Sequence, residues 1–333
     1  MKALFGEAKN QRGSIIVLVA AALTALLVSA ALVVDVGFAA VRKSQLQKAL
    51  DAAALAGVRF LPGDPQAAVS AALEYAAYNG VDLTEGDVSI TEGNTKITCA
   101  KSADVNLFFG PALGVERWRI SARAAARIGA VKSAGGYGVL PLGILDQELV
   151  FGQRYTLKLG GGSGVQGWYG ALDITRNHPF PDPNASNRTI PGGSGANDYL
   201  ANLSEGVPFN LKIGDKLYEE QGNMSGPTRQ GLENRLKNCP VHGASCWSST
   251  PDWRTADVNC ARFVIIPVLR ELNPRGNEPV YEIAGFAAFY IEGQPGSGND
   301  CEITGRFIRT TLPLDSDPAA GVGYGLTGAK LTE

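Results

Sequence analysis

The sequence predicts an α+β protein in which one membrane-spanning helix leads into a small α+β unit and then into a β-rich antiparallel domain. Three observations carry this reading. From Gly13 to Val34 no residue is charged. Alanines crowd the first 130 residues, which favours helix there. The 41 glycines and 18 prolines concentrate after that point, where they cut the chain into short β-branched and aromatic runs.

The apolar run is interrupted only by Ser14, Thr24 and Ser29. About 21 helical residues reach roughly 32 Å, enough to cross a hydrocarbon core about 30 Å thick. A cleaved secretory signal carries an apolar region of only about 7 to 15 residues, so this run is read as a retained span rather than a leader. A buried soluble helix would show a polar face, and this one has none. Lys2, Lys9 and Arg12 precede the span and Arg42, Lys43 and Lys48 follow it, so flanking charge hardly orients it. Cysteine orients it better. All 5 cysteines lie beyond the span, which fits a disulfide-permissive compartment, and places the N-terminus inside and the bulk outside the cytoplasm. Asp35 is then expected at the outer membrane edge, within reach of water.

The helix is expected to continue outside the membrane, because Leu46, Ala49, Leu50, Ala53 and Ala56 recur near helical spacing among charged and amide side chains. Its stripe of small residues, 49–57, allows close approach of another helix, either a partner's or one of its own domain. After the turn Pro62-Gly63-Asp64-Pro65 a second helix is expected over 66–79, closed by Gly80. Strands are expected at 87–91, 95–100, 104–109 and 118–128, the last alternating Ile120, Ala122 and Ala124 with Arg119, Ser121 and Arg123. Three further apolar runs, 262–272, 279–292 and 301–312, are separated by turn-forming segments, as in an antiparallel meander. The expected organisation is therefore a cytoplasmic N-terminus (1–12), a transmembrane helix (13–34), its outer continuation (35–60), a small α+β domain (61–130), a linker (131–138), a β-rich extracytoplasmic domain (139–315) and a flexible tail (316–333).

Composition narrows the function. Lys plus Arg total 30 against 32 Asp plus Glu, so the net charge of -2 offers no footprint for nucleic acid. With His178 and His242 as the only histidines, and no zinc-protease, nucleophile-elbow or phosphate-loop string, no catalytic residue, cofactor or small-molecule substrate is assigned. The glycine string 160–164 lacks the lysine of a phosphate loop and reads as a turn. Asp315 and Asp317 alone are a weak calcium signal. Cys239, His242, Cys246 and Cys260 have the chemistry of zinc ligands, but their spacing is irregular for a finger. Cys239, Cys246, Cys260 and Cys301 are therefore read as disulfide candidates, Cys239 with Cys246 and Cys260 with Cys301, leaving Cys99 alone and no metal site assigned; connectivity does not follow from spacing. In GNMSGPTRQGLENRL (222–236), Gly222, Asn223, Gly226 and Pro227 form a candidate partner-docking loop, or simply a turn into a short helix.

The segment 12–57 resembles the N-terminus of TadG-like proteins of the Flp/Tad tight-adherence pilus system. Arg12-Gly13 before the span, Asp35 and Gly37 within Val34-Asp35-Val36-Gly37 at its end, and Asp51-Ala52-Ala53-Ala54-Leu55-Ala56 downstream carry the likeness. It extends to Asn79-Gly80 and to Ser121-Ala122-Arg123-Ala124, and more loosely to 222–236 and 283–291. The resemblance implies a membrane-anchored, minor pilin-like component that builds or anchors the pilus, with membrane lipid and other pilus-assembly proteins or pilins as partners. The chain departs from the family's relatives twice. Prepilins carry a glutamate five residues after the processed glycine, where this chain has Leu18, and larger members carry a DxSxS metal string absent here. Two rival readings are a surface adhesin using Trp168, Tyr169, Trp247 and Trp253, and an envelope hydrolase joining a histidine to carboxylates.

Overall fold

The computed structural model describes residues 12–136, 138–158, 170–174, 195–220, 222–249, 251–255, 257–272, 280–317, 319 and 323–332. The chain begins with helix α1 (Arg12–Val58), a single element of 47 residues. Within its apolar part the hydroxyls of Thr24 and Ser29 donate to the carbonyls of Ala20 and Ala25, so neither is left bare. The short helix α2 (Pro65–Tyr78) starts where the Asp64 side chain accepts from the Ala67 amide, with Pro65 in the first turn.

Strands β1 (Val88–Thr91), β2 (Lys96–Asn106) and β3 (Arg117–Val131) form an antiparallel sheet against these helices. The inner face of α1, Leu46, Leu50, Ala53, Ala54 and Val58, meets Ala68, Ala72 and Ala76 of α2 and Ile97, Cys99, Ala124 and Ile128 of the sheet. The small-residue stripe of α1 is thus spent on its own domain. Gly57 permits the closest approach, since a Cβ there would lie 2.6 Å from the Ala68 carbonyl oxygen and 2.6 Å from Ile97 Cδ1.

The remaining chain runs through β4 (Ser133–Gly136), β5 (Ile144–Leu145), β6 (Arg154–Lys158), β7 (Leu172–Asp173), helix α3 (Ala196–Glu205), β8 (Val207–Lys212) and β9 (Lys216–Glu219). Helices α4 (Ser225–Lys237) and α5 (Ser245–Ser248) follow, then β10 (Phe263–Glu271), β11 (Val280–Glu292), β12 (Ile303–Ile308), β13 (Thr310–Leu312), β14 (Ser316–Asp317) and β15 (Leu326–Leu331). The second sheet has the order β5-β10-β11-β12-β6, with β9 on β11 and β7 on β9. Its centre is buried on both faces, which is why β10 reads as a continuous apolar run rather than an alternating one. Val264, Ile266 and Val268 share a core with Tyr199 and Leu203 of α3 and Leu232 of α4, while Phe263, Ile265 and Leu269 share another with Phe209 and Leu211 of β8.

The α+β class, the long first helix, the second helix and the β10-β11-β12 meander match expectation; four details differ. The strands expected at 95–100 and 104–109 are one strand, β2, because its pairing with β3 runs unbroken from Lys96 to Asn106. The segment expected to be a linker contains β4, which pairs with β8. The segment expected to be a loose tail supplies β14 and β15, both paired with β3. The run 301–312 divides between sheets: β12 pairs with β11, and β13 pairs in parallel with β15. In each case the deciding partner lies outside the strand's own window of local periodicity, and for β4 and β15 it lies far away in sequence.

Replacing Gly57 by valine forces a side chain into the α2 backbone, and should cost about 1–3 kcal/mol, as overpacking does. Urea unfolding of the detergent-solubilised chain measures it; an unchanged midpoint would mean that α1 and α2 are not held this closely.

Candidate functional site: the membrane junction and a cysteine–histidine cluster

From Ile15 to Val34 nearly every residue of α1 is exposed to its surroundings, and contact with the folded domain starts abruptly at Asp35. That carboxylate does not reach water as expected; it is 5% exposed. Its oxygens accept the amides of Phe108 at 2.7 Å, Phe109 at 3.0 Å and Gly110 at 2.7 Å. These amides open the single-turn 3₁₀ helix Gly110–Leu113, whose first N–H groups would otherwise lack acceptors. Gly110 is required at this point, because a Cβ would collide with the Val115 carbonyl. Beside it Phe38 and Phe108 stack edge to face at 5.0 Å, and the Arg42 guanidinium lies 5.1 Å from the centre of the Phe38 ring. The loop so held exposes Phe108 (64%), Phe109, Leu113 (67%) and Val115 at the end of the apolar span. An open groove of about 780 Å³ runs from Phe38 and Arg42 past Asn79 and Gly80 to Val105 and Phe108.

Of the other motif residues, Arg12 and Gly13 open α1, and Gly37 is exposed with open space where a Cβ would stand. In the 222–227 loop Gly222 and Gly226 are exposed, whereas Asn223 turns to its own domain, accepting from Lys158 Nζ at 3.4 Å and donating to the Gly298 carbonyl at 3.4 Å. Pro227 is the third residue of α4.

All five cysteines are free and buried. The expected pairing is not the arrangement found, because three of the sulfurs converge with an imidazole while Cys301 lies elsewhere, its thiol facing the Ser225 carbonyl at 3.3 Å. Cys239 follows α4 in a tight turn closed by the Gly243 amide on the Cys239 carbonyl at 2.8 Å, with Gly243 at φ 56°. His242 sits in that turn, Cys246 on α5, and Cys260 just before β10. The sulfur of Cys260 lies 3.9 Å from that of Cys239, 3.8 Å from that of Cys246 and 3.5 Å from His242 Nδ1, which is 3.7 Å from Cys239. Burial opposes ionisation of Cys239, but the amides of Ala261, His242 and Val241 outweigh it and draw the thiol down to about 6. Burial, reinforced by the neighbouring Cys260, pushes Cys246 up to about 12, and burial raises Cys260.

Compared with known proteins, residues 13–60 match the family described as Flp pilus-assembly TadE/G-like. The match coincides with the span, the Asp35 junction and the buried face of α1. Over these residues the chain is similar to TadE/G-like proteins. No curated protein and no solved structure matches the chain. The TadE/G-like match ties the chain to Flp/Tad pilus assembly, and its helix, long and apolar enough to cross a bilayer, is of the kind that anchors a single-pass membrane protein.

Of the residues on which the rival readings rest, those that are described have other contacts. Trp247 packs on the cysteine cluster, and Trp253 is half-buried, with Arg254 and Arg306 over its ring. His242 faces sulfurs rather than carboxylates. Trp168, Tyr169 and His178 lie outside the described residues. Asp317 is engaged by Lys132 at 3.2 Å and by the Ala319 amide at 2.9 Å. Composition gave no hint of Phe108, Phe109 and Gly110; the one local signal was the Phe-Phe-Gly-Pro turn after a strand.

Asp35→Ala strands the three amides that the carboxylate satisfies, and should destabilise the chain by about 2–4 kcal/mol while opening the 107–115 loop to protease. Cleavage and unfolding identical to wild type would show that the junction is not held by this group.

Proposed function

We propose that the chain is a membrane-anchored structural or accessory component of a Flp/Tad pilus apparatus, minor pilin-like, that anchors or helps assemble the fibre. The observation that carries this reading is that the TadE/G-like match covers α1 on both sides of Asp35, where the helix changes from a bare apolar element to the core helix of a folded domain. The span crosses the cytoplasmic membrane with the N-terminus inside, and the β-rich bulk lies outside the cytoplasm. Its partners are membrane lipid and other Tad proteins or pilins. Phe108, Phe109 and Leu113, held beside the emerging helix, rest at the bilayer interface, where aromatic and apolar side chains are stable. The exposed rim of the 222–227 loop is a second contact for the assembly. The role is structural rather than enzymatic.

Three measurements test it. Deleting residues 13–34 should move the chain from the membrane fraction to the soluble fraction, and an unchanged distribution would refute the anchor. Deleting the gene should lower the number of pili per cell, with recovery by wild type but not by the spanless form; normal piliation would refute the assembly role. Protease added to spheroplasts should degrade the domain beyond Asp35; full protection would reverse the orientation.

A further inference from the structure

We propose that Cys239, His242, Cys246 and Cys260 hold one structural zinc ion. The four donor atoms all lie within 4.8 Å of one another. Zinc–sulfur bonds of about 2.3 Å and zinc–nitrogen bonds of about 2.0 Å at tetrahedral angles require sulfur–sulfur edges of about 3.8 Å and sulfur–nitrogen edges of about 3.5 Å. Two of the three sulfur–sulfur edges are 3.9 and 3.8 Å, two of the three sulfur–nitrogen edges are 3.7 and 3.5 Å, and the remaining edge of each kind is within 4.8 Å. A disulfide needs its sulfurs at about 2.05 Å, and one bond among three cysteines leaves a buried thiol and an imidazole without a purpose. Four protein ligands close the coordination shell, so the ion is structural rather than catalytic.

The surroundings suit the charge. One Zn²⁺ with three thiolates and a neutral imidazole carries a net charge of about -1. The buried guanidinium of Arg262 grips the Cys246 carbonyl at 2.7 Å, and that of Arg235 the Ala261 carbonyl at 2.9 Å. The Ala261 amide donates to Cys239 Sγ at 3.3 Å, a bond that orients a thiolate ligand. The ion ties the end of α4, the short α5 and the entry to β10, three pieces joined by loops that have few apolar residues of their own.

The full-length chain, purified in detergent from zinc-supplemented cells, should contain about one zinc per chain by elemental analysis. His242→Ala and Cys260→Ser should lower that content at least about tenfold, whereas Cys99→Ser and Cys301→Ser should leave it unchanged. Cobalt exchanged into the wild-type protein should give the intense visible bands of a tetrahedral thiolate site, a readout that needs no variant to fold. A disulfide joining any two of Cys239, Cys246 and Cys260 in the native protein would overturn the proposal, as would reduced protein that takes up neither zinc nor cobalt. The site stands or falls independently of the pilus assignment.

Discussion

The hydrogen bonds from Phe108, Phe109 and Gly110 to Asp35 are the constraint on which the molecule's arrangement depends. An apolar helix has no reason of its own to leave a bilayer at one residue rather than the next. Asp35 supplies that reason twice over, since a carboxylate is costly in hydrocarbon and this one has three amides waiting 2.7–3.0 Å away. Charge-assisted bonds to backbone amides are among the stronger interactions available to a protein, and here they bridge more than seventy residues of sequence. They fix where the bare apolar stretch ends, and with it how the exposed Phe108–Val115 loop is presented beside it.

Because α1 is one continuous element, the same helix answers to two solvents. Its first half is apolar all round; its second half has one face of alanine and leucine closed against α2 and the first sheet. Alanine and glycine allow that contact to be close, with Gly57 under the Ala68 carbonyl. The surface that a free pilin-like helix would offer to a neighbour is here occupied by the domain's own α2. In the proposed pilus role, the surfaces left for partners are the bare span, the loop at its end and the outer faces of the domain.

The parts legible in the sequence were those whose cause is local. An uncharged apolar run, an Asp-Pro helix start and the alternation in β3 declare themselves within a dozen residues. The short α3 was missed although Asp198 in its first turn and the Tyr199–Leu203 pair were visible, because the surrounding residues are polar and glycine-rich. What remained hidden depends on distant partners: the acceptor role of Asp35, the return of β15 to the first sheet beside β3, and the division of the 301–312 run between two sheets. The cysteines show the same limit. Counting and compartment favour pairs, but a turn that brings His242 beside Cys239 and a loop that brings Cys260 under both produce a four-atom cluster that spacing alone does not announce.

The central claim is that Asp35 clamps the loop at the membrane exit. Hydrogen exchange of the 107–111 amides in the wild-type chain, reconstituted in lipid nanodiscs, tests it most directly. The account predicts that Phe108, Phe109 and Gly110 exchange as slowly as the paired amides of β2 and β3, despite the exposure of their side chains. Exchange at the rate of an unstructured loop would contradict it, and would leave the span joined to the domain by the helix backbone alone.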